Sequence, residues 1–97
     1  MENTTVYEII FEYSTEDCAG IDTYIYGTRE KALEKLKDLI ETEKAFYKNE
    51  YSHIDQEEFE IDTNIDDTNA CEYWWNIQCK VDWYLHTNID LRIKEIN

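Results

Sequence analysis

The chain predicts an α+β domain, an antiparallel sheet of about five strands packed on one face by a single long helix. Three observations predict it. Several short segments alternate apolar and polar residues with the period of two that a half-buried strand requires. One stretch of about 20 residues repeats its apolar positions at helical spacing instead. The links between segments are short and polar, which favours antiparallel neighbours and gives the order β-β-α-β-β-β.

The first strand is expected over residues 6–13, where Tyr7, Ile9, Phe11 and Tyr13 share one face and Glu8 and Glu12 the other. Residues 14–20 read as a turn, and a second strand follows over 21–26. Gly27 ends it and Thr28 is a good N-cap. The helix begins there, with Ala32, Leu33, Leu36, Leu39, Ile40 and Tyr47 as its apolar stripe and Phe46 widening it. It is expected to end between Tyr47 and Tyr51. Residues 50–57 fit either a loop or one more helical turn. A third strand over 58–63 turns Phe59 and Ile61 inward and Glu58, Glu60 and Asp62 outward, before a polar turn over 64–69. From Tyr73 the alternation resumes, with Tyr73, Trp75, Ile77, Cys79, Val81, Trp83 and Leu85 on the apolar face. Trp74, Asn76, Gln78, Lys80, Asp82 and Tyr84 fall on the other. Thirteen residues exceed the usual strand of about 5–6, so this is one bent strand or two joined near residues 80–82. His86, Thr87 and Asn88 read as a turn, and Ile89, Leu91 and Ile93 as a last strand.

With 97 residues the chain is expected to form one domain, residues 1–97, and its 14% aromatic content separates it from disordered acidic chains. The formal net charge is −14, from 23 acidic and nine basic residues. Such a chain lacks the basic footprint that nucleic acids and anionic membranes require, so a basic protein is the expected partner. No apolar run approaches the roughly 20 residues of a membrane span. The first five residues carry no basic region, and no signal peptide is expected. Cys18, Cys71 and Cys79 are odd in number and form no CxxC pair, which fits reduced thiols and a cytoplasmic location.

The charge is unevenly placed. Residues 28–48 carry six basic and five acidic residues, and the rest of the chain three basic and 18 acidic. The excess is densest from Glu50 to Glu72, through Asp55, Glu57, Glu58, Glu60, Asp62, Asp66 and Asp67, with no Lys or Arg in the window. Acidic runs are often no more than a solvated face. Here the basic residues are segregated onto the helix, and alternate strand residues stand about 6.6–6.8 Å apart, close to the spacing of successive phosphates. Glu58, Glu60 and Asp62 are therefore expected to form a row of anions suited to a basic groove. Trp74 and Tyr84, on the polar face of an otherwise apolar-alternating segment, are candidate contact aromatics.

No catalytic residue, metal site or cofactor is expected. His53 and His86 sit in no recognisable motif, and neither a Gly-rich phosphate loop nor zinc-ligand spacing is present. Asp62-x-Asn64-x-Asp66 matches the first three positions of a calcium loop. Asp67 replaces its glycine and Tyr73 its final glutamate, so a polar hairpin turn is the simpler reading.

In size, charge and α+β pattern, with the run Glu57-Glu58-Phe59-Glu60-Ile61-Asp62, the chain resembles small acidic anti-defence proteins of phages and mobile elements, of the anti-CRISPR and DNA-mimic anti-restriction types. The resemblance implies an inhibitor of a nucleic-acid-binding effector such as a CRISPR nuclease complex, and it transfers no residue roles. The alternative is a non-catalytic interaction module that forms a homodimer through an aromatic sheet face.

Overall fold

A computed structural model describes residues 4–67 and 70–96. Part of the turn expected over 64–69 and the first residues of the amino terminus lie outside the described residues. The strands are β1 (Thr4–Ser14), β2 (Ala19–Tyr26), β3 (Phe59–Asn64), β4 (Glu72–Cys79) and β5 (His86–Ile96). One helix, α1 (Arg29–Glu50), follows β2, and one turn of 3₁₀ helix (Gln56–Glu58) precedes β3. The expected order β-β-α-β-β-β is the observed one.

All neighbours are antiparallel, in the order β2-β1-β5-β4-β3. The chain's last strand is thus the central one. It pairs with β1 along its whole length, Thr4 opposite Ile96 through Ser14 opposite His86. The helix lies on one face of this sheet. It starts where Thr28 Oγ1 accepts the Lys31 backbone N–H at 3.4 Å, and it ends where Tyr51 N–H donates to the Tyr47 carbonyl at 3.1 Å. Its buried residues Ala32, Leu36, Ile40 and Tyr47 meet Ile9, Tyr73, Trp75, Ile77, Ile89 and Leu91 of the strands. Spacings of four and seven keep them on one stripe. Arg29 Nη1 donates to the Tyr73 hydroxyl at 2.9 Å, and the Lys35 ammonium stands 4.8 Å from the Tyr24 ring centroid. Both cations therefore lie over aromatic rings of the helix-covered face.

Gly20 is required by a close approach. It pairs with Tyr13 across the β1–β2 hairpin, and a Cβ at that position would run into the Tyr13 ring. The ring covers the backbone that a side chain would otherwise cover.

Three expectations are corrected between Cys79 and Ile89. β4 stops at Cys79, and β5 begins at His86, so the expected turn at His86-Thr87-Asn88 is strand. The reversal instead occupies Lys80–Tyr84. Cys79 N–H donates to the Leu85 carbonyl at 3.0 Å, which closes a hairpin, and Leu85 N–H donates to Asp82 at 3.0 Å. The Gln78 carboxamide holds the turn from within, donating to the carbonyls of Cys79, Trp83 and Leu85 at 2.9, 3.0 and 3.3 Å. Leu85 returns to the core as expected, but Val81 and Trp83 do not. They are 60% and 81% exposed on the turn. Tyr84 is also in this turn, packed against the core edge, and is not on the face that carries Trp74.

The third strand is shifted by one residue from expectation. Asp55 Oδ1 accepts Glu57 N–H at 3.1 Å and starts the 3₁₀ turn, which takes Glu58 out of the strand. Among the described residues one α-helix serves five strands, so one sheet face has no second layer. The body is a slab, with principal extents of 54 × 26 × 18 Å.

Candidate interaction face

Register defines the uncovered face. Tyr73, Trp75, Ile77 and Cys79 of β4 are buried towards the helix side, so Glu72, Trp74, Asn76 and Gln78 point the other way. Their partners follow. Asp62, Asn76, Asn88 and Glu12 form one line across β3, β4, β5 and β1, and Asn64, Trp74, Asp90 and Ile10 form the next. Glu60, Gln78 and His86 flank the first line on one side, and Glu72, Arg92 and Glu8 flank the second on the other. Neighbouring strands lie about 4.7–4.9 Å apart, so the line from Asp62 to Glu12 spans roughly 14–15 Å.

Charge divides this face. Lys94 Nζ lies 2.7 Å from Glu8 Oε1, and Arg92 Nε lies 3.9 Å from Glu72 Oε1. Both of these cations sit at its Glu72–Glu8 end; Lys80 follows β4 in the turn beyond Gln78, where its backbone N–H donates to the Glu58 carbonyl at 2.7 Å. The other end holds Glu60, Asp62 and Glu12 around a band of carboxamides, and Asp90 stands between that end and Arg92. Asn88 Nδ2 donates to Glu12 Oε1 at 3.5 Å. Asp90, held between Trp74 and Ile10, has its pKa raised by desolvation first; the nearby Arg92 guanidinium pulls it back, and Glu72 and Glu12 add smaller upward pushes. Two covered polar atoms at the centre of the face, Trp74 Nε1 and Asn76 Oδ1, have no hydrogen-bond partner in the described structure. A shallow depression between β3 and β4 is walled by Glu60, Asp62, Asn76 and Gln78.

The structure thus gathers Glu60, Asp62, Glu72 and Trp74 from the expected set. The others go elsewhere. Glu50 ends α1 on the helix side, Asp55 caps the 3₁₀ turn, Glu57 and Glu58 lie within that turn, and Asp66 and Asp67 follow β3 in the loop. The expected row of three therefore becomes two strand carboxylates, Glu60 and Asp62, extended sideways by Asp90 and Glu12. Sequence reading did not reach Asp90 and Glu12, because cross-strand register brings them there and no local spacing announces it. Asp62 and Asn64 lie in extended strand, which removes the calcium-loop geometry, and no cluster able to hold a metal occurs among the described residues. Cys18 and Cys71 are exposed, and Cys79 is buried as expected. His53 follows the helix, 6.2 Å from the Tyr51 ring, and His86 Nδ1 approaches the Trp83 carbonyl at 3.4 Å.

Fold and face together define a class: a two-layer α+β domain with one acidic, carboxamide-rich sheet face. No described helix is long and apolar enough to cross a membrane. Compared with known proteins, the chain matches no family model, no curated protein and no solved structure.

Proposed function

We propose that the protein is an inhibitor that occupies the basic groove of a nucleic-acid-binding effector, with its uncovered sheet face standing in for phosphates. The observation that carries this reading is the separation of charge on that face. Glu60, Asp62 and Glu12 lie together at one end with no Lys or Arg between them among the described residues, Asp90 stands between that end and Arg92, and Arg92 and Lys94 are held at the other end. Clustered anions repel one another, and desolvation of Asp90 adds to the cost, so folding alone gives no reason for the arrangement. A cationic groove supplies one. The carboxamides between the acids add donors and acceptors that orient the contact, as phosphate-reading side chains require.

The resemblance to anti-CRISPR and DNA-mimic proteins points to a defence nuclease as the effector and to the bacterial cytoplasm as the place of action. Charge reversal tests the reading. Glu60→Lys with Asp62→Lys leaves the fold intact, because both side chains are exposed on an edge strand, and weakens effector binding at least about tenfold. Unchanged inhibition by a folded double variant contradicts it.

A second reading is a homodimeric interaction module, favoured by Ile21 and Ile25, 62% and 64% exposed on the other edge strand, β2. Sedimentation over a concentration series separates the two: a dimer disrupted by Ile25→Glu supports the module, and a monomer throughout removes it.

A further inference from the structure

A cleft of ≈ 470 Å³ opens on the helix side of the sheet, at the end remote from Thr28, where the C-terminus of α1 overhangs the β1–β2 turn. Its walls are aromatic. Phe11 and Tyr13, with ring centroids 5.6 Å apart, come from β1, and Phe46 and Tyr51, 5.8 Å apart and nearly perpendicular, come from the helix end. Between these two pairs the lining residues include Glu43, Glu50, Glu16 and Asp17, and no Lys or Arg among the described residues. The basic residues of the last two turns, Lys44 and Lys48, line a different depression beside Tyr47 and Phe59.

We infer that this cleft is a recognition site for an arginine side chain of a polypeptide partner. A guanidinium is flat, stacks on aromatic rings, and offers five donors to carboxylates, whereas an ammonium matches only the charge. The cleft supplies both halves of that recognition. The aromatic walls suit the planar group and its methylene stem, and the carboxylates accept its protons. The negative end of the α1 dipole lies at the same place and favours a cation. The Glu43 carboxylate is already oriented, since Thr87 Oγ1 donates to its Oε1 at 3.0 Å and leaves Oε2 for a ligand. The potential in the cleft registers on its own wall. Tyr51 has its phenol pKa raised, by desolvation first and then by Glu16 and Asp17, with Glu50 contributing. Neutral apolar groups gain only the walls, and anions are repelled. The site shares no residue with the sheet face and stands whether or not that face binds a basic groove.

Two blocked tripeptides test the inference, acetyl-Gly-Arg-Gly-amide and acetyl-Gly-citrulline-Gly-amide. They differ by one NH for O exchange that removes the charge and keeps the shape. In a ¹H–¹⁵N NMR titration the arginine peptide gives saturable shifts at Phe46, Glu50, Tyr51 and the 15–18 turn, and the citrulline peptide binds at least about tenfold more weakly. Glu50→Gln, at an exposed helix end, and Phe46→Leu each weaken the arginine peptide without changing the dispersion of the spectrum. Equal binding of both peptides reduces the cleft to an apolar groove and overturns the inference. Shifts led by Glu60, Asp62 and Asn76 reduce the effect to bulk charge, and absence of saturation at tens of millimolar overturns it equally.

Discussion

Thr87 is the one buried polar residue among those described, 1% exposed, and its hydroxyl orders two others. It donates its proton to Glu43 Oε1, so at the 2.9 Å contact with Tyr47 the phenol must be the donor. The chain Tyr47 to Thr87 to Glu43 ties α1 to the central strand. Burial, partly offset by the Thr87 hydrogen bond, lifts the Tyr47 pKa to about 12, so the phenol keeps its proton throughout the working range. Thr87→Val keeps the shape and removes both bonds, leaving a covered phenol and a half-buried carboxylate. It should lower stability by about 1–3 kcal/mol in urea unfolding. A change within about 0.5 kcal/mol shows that the chain contributes little. Asp90 makes the opposite prediction. Its raised pKa means that the folded protein holds a proton more tightly than the unfolded chain. Stability from this group is present at low pH and is lost as pH rises from the ordinary carboxylate range, about 4, through the raised value. Asp90→Asn should therefore melt above the parent at pH 7, with the gap closing towards pH 4. A gap independent of pH rules out ionisation as its cause.

Elements divide into those that local pattern announces and those that register decides. The helix was legible to within a residue or two, because Thr28 supplies the cap and the stripe from Ala32 to Tyr47 repeats without interruption. β1, β2 and the core face of β4 were legible from alternation. The end of β4 was not, because Val81 and Trp83 continue the apolar period by chance while Gln78 gathers three carbonyls into a turn. No periodicity reports a side chain that bonds to the backbone five and seven residues on. Two measurements follow. Gln78→Leu removes the partners of the turn and costs about 1–3 kcal/mol. Trp83→Ala changes stability by no more than about 0.5 kcal/mol, since a side chain 81% exposed has little packing to lose. A core-sized loss at Trp83 supports the continuous strand instead. The candidate face was half legible for the same reason. Glu60 and Asp62 share a strand and a spacing, whereas Asp90 and Glu12 reach them only through the pairing of β5 with β4 and β1.

On the scale of the whole molecule, one helix over five strands leaves an open face, and the net charge of −14 falls mainly outside the helix. Self-repulsion of that size destabilises the compact state, and added salt screens it, with a Debye length of about 10 Å at 0.1 M. Salt therefore acts in opposite directions on the two properties of the protein. Raising it from 0.05 to 0.5 M should increase the melting temperature while weakening association with a basic partner. Loss of both together points away from electrostatic docking. The most direct test of the central proposal is competition. The protein is immobilised and exposed to lysates containing candidate defence nucleases, and bound effector is then challenged with duplex DNA or guide RNA. The account predicts capture of a nucleic-acid-binding effector, its displacement by the nucleic acid, and at least about tenfold weaker capture by the folded Glu60→Lys, Asp62→Lys variant. An effector that stays bound under excess nucleic acid, or that the double variant captures as well as the parent, contradicts it.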